Sequence, residues 1–336
     1  MKKLFLLLIF SVFLSCNSEI SEEVATGEAL GTTYRIVYFS EKEFPVEEGL
    51  DSIFEAINQS MSTYRKSSDI SKINRGETGI KVDSMFQEVF KLSQKVNRES
   101  GGYFDPTVGD LVNMYGFGPE NALISIDSAS VDSLMAFVGL DKVRISAEGE
   151  VIKDLPEIFI DYNAIAKGYT VDVIGFFLEE EGVENYLIEL GGELLAKGEN
   201  LSKGAPWTVG IDDPRQEEGS RSLKVAIALK DRAMATSGNY RKFRTDSLSG
   251  RKYVHTINPL TGYPEESNLL SATVLAKSCA LADAYATSFM AMGLKRTKDL
   301  IPNLQEVDVY FVYSAPDGSI AEYFTEGFEA VILEEY

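Results

Sequence analysis

Asp283 and Thr287 stand four residues apart in Ala280-Leu281-Ala282-Asp283-Ala284-Tyr285-Ala286-Thr287, a run otherwise made of small and apolar residues. On a helix that spacing brings a carboxylate and a hydroxyl to one face, one turn apart. Both are hard oxygen donors, suited to magnesium, which keeps some waters and shares its shell with substrate phosphates. The plain alternative is that Asp283 caps a turn and Thr287 bonds back to a carbonyl, and the pair alone leaves both open.

Three further segments carry reactive or ligand-holding residue types. His255, the only histidine in the chain, lies between two segments rich in small polar residues, Ala235-Thr236-Ser237-Gly238 and Thr261-Gly262-Tyr263-Pro264. A single histidine excludes a multi-histidine zinc site, and a histidine-based triad has no second one to fall back on. Asp161 sits at the end of an expected strand and Lys167 near the start of the next helix, where free N–H groups can meet a phosphate. Lys167 reads equally well as a phosphate contact or as a solvated lysine. The Leu190-Gly191-Gly192 turn offers close backbone approach, although two glycines alone say little. Neither a Walker loop nor a G-x-G-x-x-G pattern occurs, so the standard nucleotide-binding folds are not supported.

The elements that would position these residues follow from periodicity. Thr32 to Phe39 reads as a strand, and Val46 to Met61 as a helix with Leu50, Ile53, Phe54 and Ile57 on one side. A helix from about Asp83, its cap, to Ser100 carries Phe86, Val89, Phe90 and Val96 inward and stops at Gly101-Gly102. Strands are expected at Lys142 to Ser146 and Ile158 to Tyr162, then a helix from about Ala164 to Glu181. Further strands are expected at Tyr186 to Glu189, Leu194 to Lys197, Thr208 to Ile211 and Leu223 to Leu229. A helix over Ala280 to Met292 precedes closing strands at Val307 to Tyr313 and Phe328 to Leu333. Mixed helices and strands, with meander-like strand runs late in the chain, indicate an α+β body. No composition break divides it, so residues 27–336 form one catalytic unit, in one lobe or two.

The chain has 336 residues, 44% of them hydrophobic, enough for a sizeable core. Its 52 acidic residues against 32 basic ones give a formal charge of -20. No basic block interrupts this, which argues against a nucleic-acid partner. An anionic substrate must therefore be met by a local device: a bound cation, a few placed Lys or Arg, or a glycine-rich nest. Lys2 and Lys3 precede an apolar run from Leu4 to Leu14, far short of the roughly 20 residues that cross a bilayer. With a small residue before Cys16, residues 1–15 read as a bacterial lipoprotein signal and Cys16 as the lipidated residue, the plain alternative being a soluble exported protein whose signal is cut nearby. Residues 16–26 read as that anchor and a polar tether. If Cys16 carries lipid, Cys279 stands alone and no intramolecular disulfide forms.

As an ordered set, these segments resemble the ApbE family, flavin transferases that attach the FMN half of FAD to a threonine or serine of another protein. The resemblance is carried by Gly31-Thr32-Thr33-Tyr34, Met61-Ser62-Thr63-Tyr64, Phe104-Asp105-Pro106-Thr107-Val108-Gly109 and Tyr115-Gly116-Phe117-Gly118. It continues through Asp161 to Asp172, Leu190-Gly191-Gly192, Ala235-Thr236-Ser237-Gly238, His255-Thr256-Ile257 and Asp283 to Thr287. It implies a body related to the T-fold. It implies FAD against Leu30, Tyr64, Tyr115, Gly116, Phe117, Asp161, Lys167 and Ile257, with Leu30 where methionine is common and Tyr115 where tryptophan is. Aromatic faces would gain about 0.5–1.5 kcal/mol against the flavin ring beyond area burial. It implies Mg2+ held by Asp283, Thr287 and main-chain oxygens of Ala164 and Ala286.

His255 is then the candidate base for the acceptor hydroxyl, with Asp283 as competitor, and Asp283 is expected to face an open cleft. The implied partners are exported flavoprotein acceptors, such as subunits of ion-pumping redox complexes, at a bacterial cell envelope facing the periplasm. Two other readings stay open: a pyrophosphatase giving FMN and AMP, and a lipoprotein that binds FAD without cleaving it.

Overall fold

The computed structural model describes residues 20–119, 126–216, 222–238, 243–245, 252–254, 256–264 and 267–336. The described residues open with β1 (Ser21–Ala29) and β2 (Thr32–Ser40), joined by a turn in which Leu30 and Gly31 hold φ of 50° and 75°. Five helices follow: α1 (Val46–Met61), α2 (Asp69–Asn74), α3 (Ser84–Glu99), α4 (Gly109–Met114) and α5 (Ser128–Met135). The short strands β3 (Val143–Ile145) and β4 (Val151–Lys153) lead into α6 (Ala166–Glu180). Strands then dominate: β5 (Asn185–Leu190), β6 (Glu193–Lys197), β7 (Trp207–Asp212), β8 (Leu223–Leu229), β9 (Arg232–Gly238), β10 (Phe243–Thr245), β11 (Lys252–Val254) and β12 (Leu269–Ala276). The long α7 (Cys279–Leu300), β13 (Asp308–Ser314), β14 (Ile320–Phe324), the single turn α8 (Glu326–Glu329) and β15 (Ile332–Glu335) complete the chain.

Among the described residues, eight strands form one antiparallel sheet in the order β1-β2-β5-β6-β9-β12-β13-β14. That order never doubles back along the chain, so the segments between neighbours are insertions laid on one face or the other. Strand alternation separates the two faces. Ala235 and Val274 turn toward α7 and meet Ala280, Ala284 and Phe289. Their chain neighbours Met234 and Leu275 turn the other way and pack with Trp207, Val209 and Ile227 of the smaller β15-β8-β7 sheet. Helices α1 and α6 cover the β1-β2-β5 end through Leu50, Phe54, Ile174 and Leu178.

Local chemistry sets the helix limits. The Asp83 carboxylate accepts the Phe86 N–H at 2.8 Å and starts α3, as a capping residue should. Leu50, Phe54 and Ile57 are buried on one side of α1, whose limits match those read from spacing. The helix expected over Ala280 to Met292 runs on to Leu300 through a break at Gly293, where φ is 74° and ψ is 165°.

Four expectations need correction. Ser21 to Thr26, taken as tether, belongs to β1 and pairs residue by residue with β2. An edge strand that buries only Ala25 can be polar and acidic and still pair through its backbone. Ile158 to Tyr162 is not a strand: Asn74 holds both the Ile160 N–H (2.8 Å) and its carbonyl (2.9 Å), and the Asp161 N–H goes to the Pro106 carbonyl. At Lys142 to Ser146 the strand starts only at Val143, after a 3-10 turn. Phe328 is a buried anchor in α8, and the closing strand begins at Ile332. No described helix is long and apolar enough to cross a membrane.

Phe289 locks α7 to the sheet, stacked on Tyr285 at 5.7 Å and edge-on to Phe311 at 5.9 Å. Phe289→Ala should cost about 3–5 kcal/mol in urea unfolding. A loss of under about 1 kcal/mol would mean that this seam is not close-packed.

Candidate active site

The site is built where α6 and α7 touch. At Gly168 a Cβ atom would lie 2.4 Å from the Cys279 carbonyl oxygen, so only glycine lets the two backbones come this close. One turn on, the Asp172 carboxylate accepts the N–H groups of Cys279 (2.7 Å) and Ala280 (2.9 Å), while Ser278 caps α7 by accepting from Leu281. These bonds satisfy N–H groups that a helix start otherwise leaves orphaned, and they place negative charge at its positive end. Burial nonetheless pushes the Asp172 carboxyl up to about 6.

With the helices fixed, the Gly168 N–H donates to Asp283 Oδ2 at 3.2 Å. The first regular turn of α6 closes from the Tyr169 N–H to the Ile165 carbonyl. Diverting the Gly168 N–H thus leaves the Ala164 carbonyl outside the helix ladder. Thr287 lies one turn beyond Asp283, its Oγ1 3.2 Å from Ser237 Oγ on β9. Asp283 does not cap its own helix, where Ser278 is the capping residue; its carboxylate instead takes an N–H in the first turn of α6. Asp283 is also not in an open cleft: it is 5% exposed.

Lys167 supplies the one cation near these carboxylates in the described structure. Its Nζ lies 2.5 Å from Glu193 Oε1. Burial would depress the lysine, but the charges of Glu193 and Asp283 outweigh it and hold its pKa above the ordinary value. Burial raises the Asp283 carboxyl against the opposing pull of Lys167 and the Gly168 N–H. It also raises Glu193, helped by the Asp283 charge.

The other expected contacts lie around this core. Asp161 is buried and its carboxylate accepts the Asn163 N–H at 2.7 Å and the Asn163 Nδ2 at 3.1 Å. Burial raises it too. Tyr64 exposes 63% of its surface, close enough to Asp161 that, after burial, this charge helps to raise its phenol. Leu30 takes the positive-φ turn between β1 and β2 and packs on the helical core. Tyr115 is fully buried and packs in one cluster with Ile257, Leu111 and Val131, with Phe117 against its edge, and Gly116 turns the chain there at φ 75°. The structure therefore offers Tyr64, rather than Tyr115, as an open aromatic face. Ala286 is buried within α7. His255 and Cys16 lie outside the described residues.

Whether Mg2+ suits this arrangement is decided by its donors. Asp283, Thr287 and the Ala164 carbonyl are all oxygen, and buried carboxylates with raised pKa values call for a cation, so the set fits a hard ion. No group of three or more His, Cys, Asp or Glu gathers among the described residues, so a metal here would draw on hydroxyl and main-chain oxygen besides Asp283. A separate cavity of about 180 Å3 lies on the opposite face of the sheet, lined by Arg35, Glu189, Asp212 and Thr236 among others.

Residues 30–311 match the ApbE family. The chain belongs to this family. The FAD:protein FMN transferase of Vibrio cholerae is 35% identical over 323 residues, covering 94% of each chain. That of Escherichia coli K12 is 29% identical over 321 residues, 93% of this chain and 90% of its own. Among solved structures, the flavin transferase ApbE from Vibrio cholerae superposes with a TM-score of 0.81 at 33% identity, over 93% of this chain and all of that one. The apo flavinyl transferase ApbE of Pseudomonas stutzeri gives 0.81 at 29%, covering 93% and 97%. The mixed α+β body is thus an ApbE body.

Sequence reasoning missed Glu193, although a charged residue opening an apolar strand just after Gly-Gly was a signal. It also missed why position 168 must be glycine.

Gly168→Ala should therefore cost about 1–3 kcal/mol by overpacking and remove any melting shift produced by Mg2+. An unchanged melting curve would disprove the close approach. Asp172 yields a second test. Its folded pKa lies above the unfolded 3.8, so the folded state keeps a proton that the unfolded chain has released, and stability falls as pH rises from about 4 to about 6. The full effect is up to about 3 kcal/mol. Metal-free protein should melt higher at pH 4.5 than at pH 7, and Asp172→Asn should shrink that gap; an equal gap in the variant would refute the assignment.

Proposed function

We propose that this chain is an FAD:protein FMN transferase: it moves FMN from FAD onto a threonine or serine hydroxyl of an acceptor protein as a phosphoester and releases AMP. The observation that carries this reading is the convergence of Asp283, Thr287 and the unladdered Ala164 carbonyl beside Lys167, in a chain of this family. An acidic protein needs such a device to hold a pyrophosphate.

Asp283, Thr287 and the Ala164 carbonyl, with Ala286, would hold Mg2+. When bound, Mg2+ neutralises charge on the pyrophosphate oxygens as the bridge breaks. Lys167 pairs with a phosphate. Tyr64 gives the flavin a flat apolar face, with Leu30, Asp161, Ile257 and the Tyr115-Gly116-Phe117 corner completing its surroundings. The acceptor hydroxyl attacks the FMN phosphorus, the bond to the AMP oxygen breaks, and AMP leaves with that electron pair. His255 takes the hydroxyl proton; Asp283 is the competing base.

The Lys2-Lys3 start, the apolar run and Cys16 support a lipid-anchored protein at the bacterial envelope, facing the periplasm, acting on exported flavoproteins such as subunits of ion-pumping redox complexes.

Incubation with FAD, Mg2+ and an acceptor should add one FMN mass to a threonine or serine and release AMP, read by mass spectrometry. His255→Ala should slow transfer by about 10²–10⁴. Asp283→Asn should lose the magnesium-dependent turnover while remaining folded. FMN and AMP with no adduct would replace transfer by hydrolysis, and FAD recovered intact would replace both by storage.

A further inference from the structure

Glu193 has no task in the reading above, yet its placement is costly. Gly191 and Gly192, at φ 63° and 101°, make a two-residue turn between β5 and β6, with Leu190 and Glu193 facing each other across it. Positive φ at both positions suits a tight hairpin and is why glycine occupies both. The turn delivers Glu193 to the helical face of the sheet, while Leu194 faces the opposite core. There Glu193 is 4% exposed, with Oε1 on Lys167 Nζ at 2.5 Å and Oε2 buried with no hydrogen-bond partner among the described residues.

A buried carboxylate, even one paired with a partly exposed lysine as here, is tolerated in a core only when the geometry is good and its remaining lone pairs are satisfied. This one is half satisfied and stands beside a second buried carboxylate, Asp283, so structural economy does not explain it. Lys167 does. An ammonium has three N–H donors on a flexible stem, and without an anchor it would wander among the nearby carboxylates. Binding through one donor fixes where the other two point.

We propose that Glu193 is a positioning residue: it anchors the Lys167 ammonium beside the start of α6 so that the remaining donors meet a phosphate of the bound dinucleotide. This rests on the FAD reading above and assigns the selection for a phosphorylated flavin to the Glu193–Lys167 pair. A charge-assisted hydrogen bond of this kind is worth about tenfold or more in affinity.

The test compares FAD with riboflavin, which has the same ring and no phosphate, by quenching of flavin fluorescence, with and without Mg2+. Glu193→Gln should weaken FAD about tenfold and leave riboflavin within about twofold. Lys167→Met should do the same, Glu193→Asp should restore part of the loss, and Lys167→Met/Glu193→Gln should bind FAD no worse than Lys167→Met alone. Equal weakening of both flavins by Glu193→Gln, or multiplied losses in the double variant, would overturn the proposal. If Glu193→Gln fails to fold, the last two variants carry the same comparison, since together they leave no buried charge unpaired. Wild-type protein that binds FAD no tighter than riboflavin would instead sink the phosphate-binding reading beneath it. Discrimination in wild type that persists in Glu193→Gln would sink the positioning role alone.

Discussion

The contact between the backbones of α6 and α7 at Gly168 governs the rest of the site. Two helices normally keep their axes apart by the width of their side chains. Here a missing side chain brings the Cys279 carbonyl against the α6 main chain, and an N–H that would have closed a helical turn reaches a carboxylate on the neighbouring helix. Asp172 makes the arrangement rigid by holding two N–H groups at the α7 start. Oxygen donors from two distant parts of the chain then converge without any loop having to fold over them.

Electrostatics explains why that rigidity is needed. Asp161, Asp172, Glu193 and Asp283 are all held above their ordinary protonation range by burial, against a single nearby lysine. Carboxylates left to themselves would turn outward to water. Alanine-rich helix surfaces and glycine turns hold them in place instead, with Lys167 as the neighbouring positive charge. A family of transferases that handles an anionic dinucleotide gains from a site whose negative charge is fixed in place before the ligand arrives.

Much of this was legible locally. The four-residue spacing of Asp283 and Thr287, the inward stripe of α1 and the Asp83 cap of α3 each depend on one helix alone, so periodicity reveals them. What escaped depends on partners far along the chain. Ser21 to Thr26 is polar because β1 is an edge, and pairing with β2 is invisible in its own composition. Ile158 to Tyr162 has strand-like residues but gives its backbone bonds to Asn74 and Pro106. Gly191-Gly192 looked like a place for a ligand to approach, whereas its two positive φ angles make a hairpin whose product is the placement of Glu193. Family resemblance names more candidate site residues than periodicity could, because a motif set encodes tertiary neighbours that spacing does not.

Chain order within the large sheet has a consequence for assembly. Its strands join in sequence, but α7 follows β12, the sixth of the eight, and must then swing back to meet α6, made more than a hundred residues earlier. Contacts of such long separation form late. A nascent chain can lay down β1, β2, β5 and β6 and still lack the contact of α6 with α7. That contact is therefore coupled to near-completion of the polypeptide, and a chain ending before α7 cannot form it.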